Sequence, residues 1–502
     1  MSNLSELIPA GGGQNNTDFV ASGNIASGKP VILNSTGTAT QVSETTGSET
    51  LGGPVDANDV TTKGYGVDIC YDSGNDRLVA VWFRNSDVYP MAAVGTISGT
   101  TTTWGTPIVV ESVAGDQAPA VDYDPDNGKV LMLYVRASDA NARYSVGAVS
   151  GTTSTWGTSG EFYGNTTTDG LTLTYDTTHN YFLCTYHSGF GSDDCNVKIG
   201  SISGTTVTFG GNYPFTSGSN SRIMGIAYDV KEDAFAVLYR NTSNQLYGRV
   251  GTSTAAKVVT YGAETLIGTW NPYGMGSITY DATAQKCVAI FKNTSGYGAG
   301  AVVTVVGGST RSFTDATETT FNSANIGSGD LSLHATYAGT NANTTTVVFI
   351  ESSDNYPRFC NGTVSGTSIS FNTVARLWTD NAANSRNNIC PIASGKVAII
   401  AQSNTTVGSM TDNYASVNVL QNVVSISNMT ATNLLGIAAG AITSGASGVI
   451  NTWGSRNKVQ TSLTVASDYY VQGDGTVTTA SSGTLIGQAI TATQINIKDY
   501  TG

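Results

Sequence analysis

Ala118-Pro119-Ala120-Val121-Asp122-Tyr123-Asp124-Pro125-Asp126-Asn127-Gly128-Lys129-Val130-Leu131-Met132-Leu133-Tyr134-Val135-Arg136 is the stretch that decides the fold. Ala118 to Asp124 reads as a strand ending on a Tyr-Asp pair, and Pro125 to Gly128 reads as a tight turn. Lys129 to Arg136, rich in Val, Leu and Tyr, reads as a second strand. A polar loop over Ala137 to Ala142 leads to a third strand, Tyr144 to Val149. Ser150-Gly151-Thr152 then turns the chain into a fourth strand that carries Trp156. Four antiparallel strands joined by short turns make one propeller blade.

The unit recurs. Tyr71-Asp72, Tyr123-Asp124, Tyr175-Asp176, Tyr228-Asp229 and Tyr280-Asp281 follow one another at spacings of 52, 52, 53 and 52 residues. A fixed period of that size with strand-like content marks a propeller or a related array. The turn recurs as Ser98-Gly99-Thr100, Ser203-Gly204-Thr205 and Ser365-Gly366-Thr367, followed by the aromatics Trp104, Phe209 and Phe371. A sixth copy is degenerate, with Tyr337-Ala338-Gly339 at the Tyr-Asp position, and a seventh keeps Cys390-Pro391-Ile392 and Gly395-Lys396-Val397. The expected fold is therefore all-β: a seven-bladed β-propeller of four-stranded blades, each about 52 residues long, over residues 56–424. In this reading the Tyr-Asp pair is a strand-end aromatic followed by a carboxylate that opens a turn.

Two flanks lie outside the repeat, residues 1–55 and 425–502. Gly23-Asn24-Ile25-Ala26-Ser27-Gly28 matches Gly440-Ala441-Ile442-Thr443-Ser444-Gly445, and short Val-Ile runs follow both, at Val31-Ile32 and Val449-Ile450. A ring brings its own ends together. The flanks are expected to co-fold into one small β-barrel or sandwich, the first as a docking segment and the second as a C-terminal β module. The alternative is that each docks separately on a partner. Tyr469 to Thr476 reads as a hairpin, and one helical turn is expected within Thr430 to Ile442.

Composition narrows the function classes. The 502-residue chain has a net charge of −13, which argues against nucleic-acid binding. It lacks an apolar run of about 18 residues, so no membrane span is expected. The first residues have neither a basic nor an apolar signal region, so synthesis and folding in a cytoplasm are expected. Six cysteines, at 70, 184, 195, 287, 360 and 390, form no CxxC pair. Cys184 with Cys195 and Cys70 with Cys390 are the pairs to weigh against buried free thiols, which the cytoplasmic setting favours. Neither a cofactor nor a metal site is expected, because Asp122, Asp124 and Asp126 do not follow a calcium-loop pattern.

Three histidines, at 179, 187 and 334, offer no nucleophile-activating arrangement. The enzyme reading to weigh is a glycosidase, which needs two carboxylates facing one sugar across about 5–9 Å. Asp193, Asp194, Glu232 and Asp233 are the candidates, and they read better as solvated turn acids. The chain is expected not to be an enzyme. One positional pattern stands out: Arg84, Arg136, His187, Arg240 and Lys292 lie 12 or 13 residues after the repeat tyrosine. They fall where the second strand enters the loop to the third, and would form a ring on one face of a propeller. Asp87, Asp139, Asn241 and Asn293 follow them. Such a face suits an anionic glycan or a protein partner; pairing with the neighbouring loop acids is the plainer reading.

Val94-Gly95-Thr96-Ile97-Ser98-Gly99-Thr100 with Trp104-Gly105, and Val146-Gly147-Ala148-Val149-Ser150-Gly151-Thr152 with Trp156-Gly157, resemble the internal repeats of virion structural proteins of tailed bacteriophages. Asn433-Leu434-Leu435-Gly436-Ile437-Ala438, Gly440 to Gly448, and Asp468-Tyr469-Tyr470-Val471-Gln472-Gly473-Asp474-Gly475 resemble the C-terminal module of such proteins. The fourth and fifth repeats depart from the pattern at Thr252-Ser253-Thr254 and Gly307-Gly308-Ser309. The resemblance implies a multi-copy or homo-oligomeric protein displayed on the virion, in a tail fibre or similar appendage. It would be joined to other virion proteins through its terminal segments and would contribute to attachment to host-surface glycan or protein. Capsid decoration or tail stabilisation is the structural alternative. No catalytic residue carries over.

Overall fold

The computed structural model describes residues 15–498 apart from 60, 63, 165–169, 189–193, 217–220, 242, 244, 270–275, 308–310, 315, 328–331, 340–341, 379–386, 403–413, 431 and 482. The described chain is built from antiparallel strands and divides into two units, Ser48–Val423 and the pair Met1–Gly47 with Val424–Gly502.

The first unit is a β-propeller with seven blade sheets among the described residues. Their innermost strands are Gly64–Asp72, Gly115–Asp124, Thr172–Asp176, Arg222–Asp229, Gly276–Asp281, Leu333–Tyr337 and Asn387–Ile392. Each lies beside the next, and the seventh lies beside the first, so the ring closes. The second strands are buried nearly end to end, as in Ala234–Arg240, because the neighbouring blades cover both of their faces. The core therefore lies in the seams. Cys70, Val79, Val81 and Phe83 of blade 1 meet Val121, Tyr123, Val130 and Tyr134 of blade 2. Val67, Leu78 and Trp82, on the other side of blade 1, meet Ile392, Ala398 and Ile400 of blade 7.

The repeat signature is legible as seam chemistry. Asp124 Oδ1 accepts from the N–H groups of Asp126 and Asn127, both at 3.0 Å, and Oδ2 accepts from Asn127 Nδ2 at 2.8 Å. Asp72, Asp176, Asp229 and Asp281 hold their turns through the same pair of N–H bonds. The tyrosine of the following blade reaches back to such a turn: Tyr175 donates to Asp126 at 3.1 Å, and Tyr228 bonds Thr178 at 2.5 Å. Tyr-Asp is thus a turn lock and a blade-to-blade staple. Gly147 leaves room for Trp156, whose ring would lie 3.0 Å from a Cβ there, and Gly95 and Gly200 do the same for Trp104 and Phe209.

Within the propeller, three features differ from the sequence reading. Thr50–Leu51 and Val55–Asp56 pair with Ala415–Gln421, so residues 48–55 complete the seventh blade instead of belonging to the N-terminal flank. Blades 1, 2, 4, 6 and 7 carry a short fifth strand that returns to the third, as Gly160–Tyr163 does to Ala142–Ser150. In blade 5 the third strand breaks after Val303: Val305–Val306 pairs with Ser312–Phe313 as a separate two-stranded piece, and Glu318–Asn325 pairs with Tyr297–Val303.

In the second unit the two flanks pair with each other. Asn16–Val20 lies against Ser447–Asn451, and Pro30–Leu33 against Leu434–Ala438. Between them Ile25 and Ile442 exchange backbone bonds of 2.9 and 2.8 Å. The two matching sequence segments are therefore partners across a local pseudo-two-fold. Their sheet shares a core with a second sheet, Ile32, Leu434 and Ile437 packing on Tyr469, Val471, Ile486 and Ile495. Leu434–Ala438 is a strand, which replaces the helical turn expected there. All six cysteines are unpaired and buried. Cys184 and Cys195 lie on opposite sides of their sheet, one facing blade 2 and the other blade 4, so they cannot bridge without refolding.

Candidate functional site

The described second-to-third-strand loops, in blades 1, 2, 4, 5 and 6, gather on one propeller face, opposite the Asp-centred turns. In blades 1, 2 and 6 they are one structure repeated: residues 84–89, 136–141 and 351–356 each carry Ser-Asp at the third and fourth positions. Val88, Ala140 and Asn355 adopt φ of 62°, 53° and 55°. The preceding Asp oxygen accepts the N–H of Tyr89, Asn141 or Tyr356 at 3.1–3.2 Å. Blades 4 and 5 use a second design, in which Asn241 or Asn293 accepts two loop N–H groups at 2.9–3.0 Å.

Each Ser-Asp loop carries a clamped carboxylate. Arg84 grips Asp87 through both oxygens, Nε to Oδ1 at 2.9 Å, and its guanidinium carbon lies 5.6 Å from the centre of the Tyr89 ring. The hydrogen bond from Arg84 holds the Asp87 carboxyl below its ordinary range. Asp139 takes Arg136 Nε at 3.1 Å and Arg143 at 3.1 Å. Asp354 takes Arg358 at 2.6 Å and Arg376 at 2.9 Å, and Arg376 lies 4.3 Å over Tyr356. Arg84, Asp87, Arg136, Arg143, Asp354 and Arg358 are half-buried, and Asp139 and Arg376 are exposed.

All five ring residues expected from the sequence sit at second-strand ends, which is where the spacing places them. They do not make a free cationic surface. Arg84 and Arg136 are paired with Asp87 and Asp139. Lys292 is buried and donates to the Ile326 carbonyl at 2.8 Å, and burial lowers its pKa. His187 and Arg240 are likewise buried. The plainer sequence reading, local pairing, describes Arg84 and Arg136. What sequence reasoning missed is the Ser-Asp motif itself, visible as Ser86-Asp87, Ser138-Asp139 and Ser353-Asp354. Of the glycosidase candidates, Asp193 lies outside the described residues, and Glu232 and Asp233 sit in an Asp-centred turn on the opposite face.

A cavity of about 330 Å³ runs down the ring axis, lined by all seven inner strands. Its polar lining includes Asp68, Asp122, Thr172, Ser277, His334 and Asn388, and no Lys or Arg. Asp68, Asp122, Ser277 and Asn388 accept from inner-strand N–H groups that no further strand can reach. Asp68 Oδ2 accepts from Val121 N at 2.8 Å and Oδ1 from Asn388 Nδ2 at 2.6 Å; Ser277 Oγ accepts from Ala335 N at 3.2 Å. Burial pushes the Asp68 carboxyl up to about 8 and that of Asp122 up to about 7, against the pull of their N–H donors.

Among solved structures the chain is similar to the BP39L lectin from Burkholderia pseudomallei, with a TM-score of 0.55 at 11% identity, over 73% of this chain and 99% of that one. Lower likenesses are the β-propeller domain of Cps50 (Swd1) from Myceliophteria thermophila, TM-score 0.45 at 7% identity over 74% and 99%, and the Aleuria aurantia lectin, 0.41 at 12% over 65% and 99%. The first establishes the shared fold; the other two add nothing to it. No protein-family model matches the chain, and no curated protein does.

Proposed function

We propose that this chain binds carbohydrate without cleaving it, through the face formed by the second-to-third-strand loops. The observation that carries this reading is the threefold Ser-Asp loop, which sets an Arg-held carboxylate beside Tyr89, Asn141 or Tyr356. A fixed carboxylate and guanidinium pair offers acceptors and donors to neighbouring hydroxyls, and a tyrosine ring offers an apolar surface to a sugar's C–H face. Carboxylates clamped by guanidinium are poor proton carriers, which favours recognition over hydrolysis. That the BP39L protein, described as a lectin, shares the fold agrees with this reading. The resemblance of the repeats and the C-terminal module to phage virion proteins adds the setting. In it the propeller is part of a tail fibre or similar appendage that meets host-surface glycan, and the paired flanks join other virion proteins.

The test is a glycan array probed with the full chain and with Asp87→Ala, Asp354→Ala and Tyr356→Ala. Saturable binding to a defined glycan set, weakened at least about tenfold by the substitutions, is expected. No bound glycan, or binding that all three variants keep, overturns the reading.

A further inference from the structure

On the opposite face, at the seam of blades 3 and 4, one Asp-centred turn carries a histidine. In blades 1 and 2 the third residue after the turn aspartate is Asn75 or Asn127, whose Nδ2 donates to the second carboxylate oxygen at 2.8 Å. In blade 3 that residue is His179. Its Nδ1 lies 3.1 Å from Asp176 Oδ2 and 3.5 Å from Oδ1 of Asp233, which belongs to the turn of blade 4. A second carboxylate thus arrives from the neighbouring blade at the same ring nitrogen. One ligand atom from each of the three side chains lies within 4.8 Å of the others.

A single imidazole nitrogen has one lone pair or one proton and serves one carboxylate well; two carboxylates converging on it suit a cation placed between all three. Ligand atoms around a tetrahedral zinc, with bonds of about 2.0–2.1 Å, stand roughly 3.3 Å apart. The observed 3.1 and 3.5 Å bracket that separation. The three side chains are also held from behind. Asp176 is fully buried and fixed by two turn N–H bonds, Asp233 accepts from Tyr228 at 2.8 Å, and the His179 ring stacks on Tyr181 with an interplanar angle of 12°. Asp176 is buried, His179 half-buried and Asp233 exposed, so the set opens to solvent on the Asp233 side.

We propose that Asp176, His179 and Asp233 form a site for a divalent transition-metal ion of the zinc class, bridging blades 3 and 4. One nitrogen and two carboxylate donors suit such an ion better than calcium or magnesium, which prefer oxygen alone. The ion would tie two blades at a seam that the Tyr228 hydroxyl, bonded to Thr178, also closes.

The test is calorimetric titration of the chelator-treated full chain with zinc chloride, with calcium chloride as the contrast. His179→Asn is the informative variant, because it restores the side chain that blades 1 and 2 use and keeps the turn intact. Asp233→Asn removes one ligand charge and leaves an acceptor for Tyr228. Expected are one zinc per chain, no comparable calcium heat, a rise in melting temperature with zinc, and a loss of at least about tenfold in zinc affinity in either variant. The six thiols are buried and do not compete in the folded chain. Absence of zinc binding, or unchanged zinc binding in both variants, overturns the proposal and leaves His179 as a hydrogen-bonded replacement for the turn asparagine.

Discussion

Tyr175 shows how much one side chain of the repeat does. Its ring packs in the seam of blades 2 and 3, and its hydroxyl ends on Asp126 of the preceding turn. Tyr175→Phe keeps the ring and removes the bond, so a loss of about 0.5–1.5 kcal/mol is expected in urea unfolding. Gly147→Ala acts in the opposite sense: a Cβ 3.0 Å from the Trp156 ring overfills the blade, at a cost of about 1–3 kcal/mol in the same measurement. Asp68 and Asp122 set the acid response. Their folded carboxyls bind protons more tightly than the same groups in the unfolded chain, which titrate near about 4. The stability they contribute is fully present below that value and is lost as pH rises through about 7 and about 8. Urea midpoints measured from pH 5 to pH 8.5 should show that decline, and Asp68→Asn should lose part of the slope.

At the scale of the element, the seventh blade depends on a strand from the start of the unit. Thr50–Leu51 adds to Ala415–Gln421, Gly52 donates to the Val419 carbonyl at 2.9 Å, and Asn418 donates to the Gly52 carbonyl at 2.9 Å. A Cβ on Gly52 would meet the Thr100 carbonyl oxygen at 1.9 Å, so Gly52→Val should prise this latch open. Hydrogen exchange is expected to speed up at least about tenfold over Ala415–Gln421 while blade 4 keeps its protection. The latch also marks a limit of legibility. The blades announce themselves through period, turn glycines and Tyr-Asp spacing, all local signals. Thr50-Leu51 is too short to carry a pattern, and its partner lies more than 360 residues away, so nothing local distinguishes it from the flank. The Ser-Asp loops were legible as repeated letters. Their clamp was legible only where it is local, at Arg84–Asp87 and Arg136–Asp139; Arg143, Arg358 and Arg376 come from third and fifth strands that only folding brings to the loop.

For the molecule as a whole, low charge density and a net charge of −13 act together. The sequence isoelectric point is about 4.6. Acid that protonates the channel carboxyls therefore also brings the surface toward neutrality, and solubility should pass through a minimum near that pH even as the urea midpoint rises. Solubility scans beside unfolding curves check this; a solubility minimum above pH 6 would mean that a patch, not the overall charge, governs association.

The latch also sets a timetable for synthesis. A ribosome that has made Leu51 must add about 370 residues before Leu420, its partner, exists. At about 5–20 residues per second that is roughly 20 to 75 s, during which a growing row of finished blades has no closing neighbour. Nascent chains of this protein therefore spend most of their birth as an open arc, with the Val67, Leu78 and Trp82 face of blade 1 waiting for the last blade to arrive.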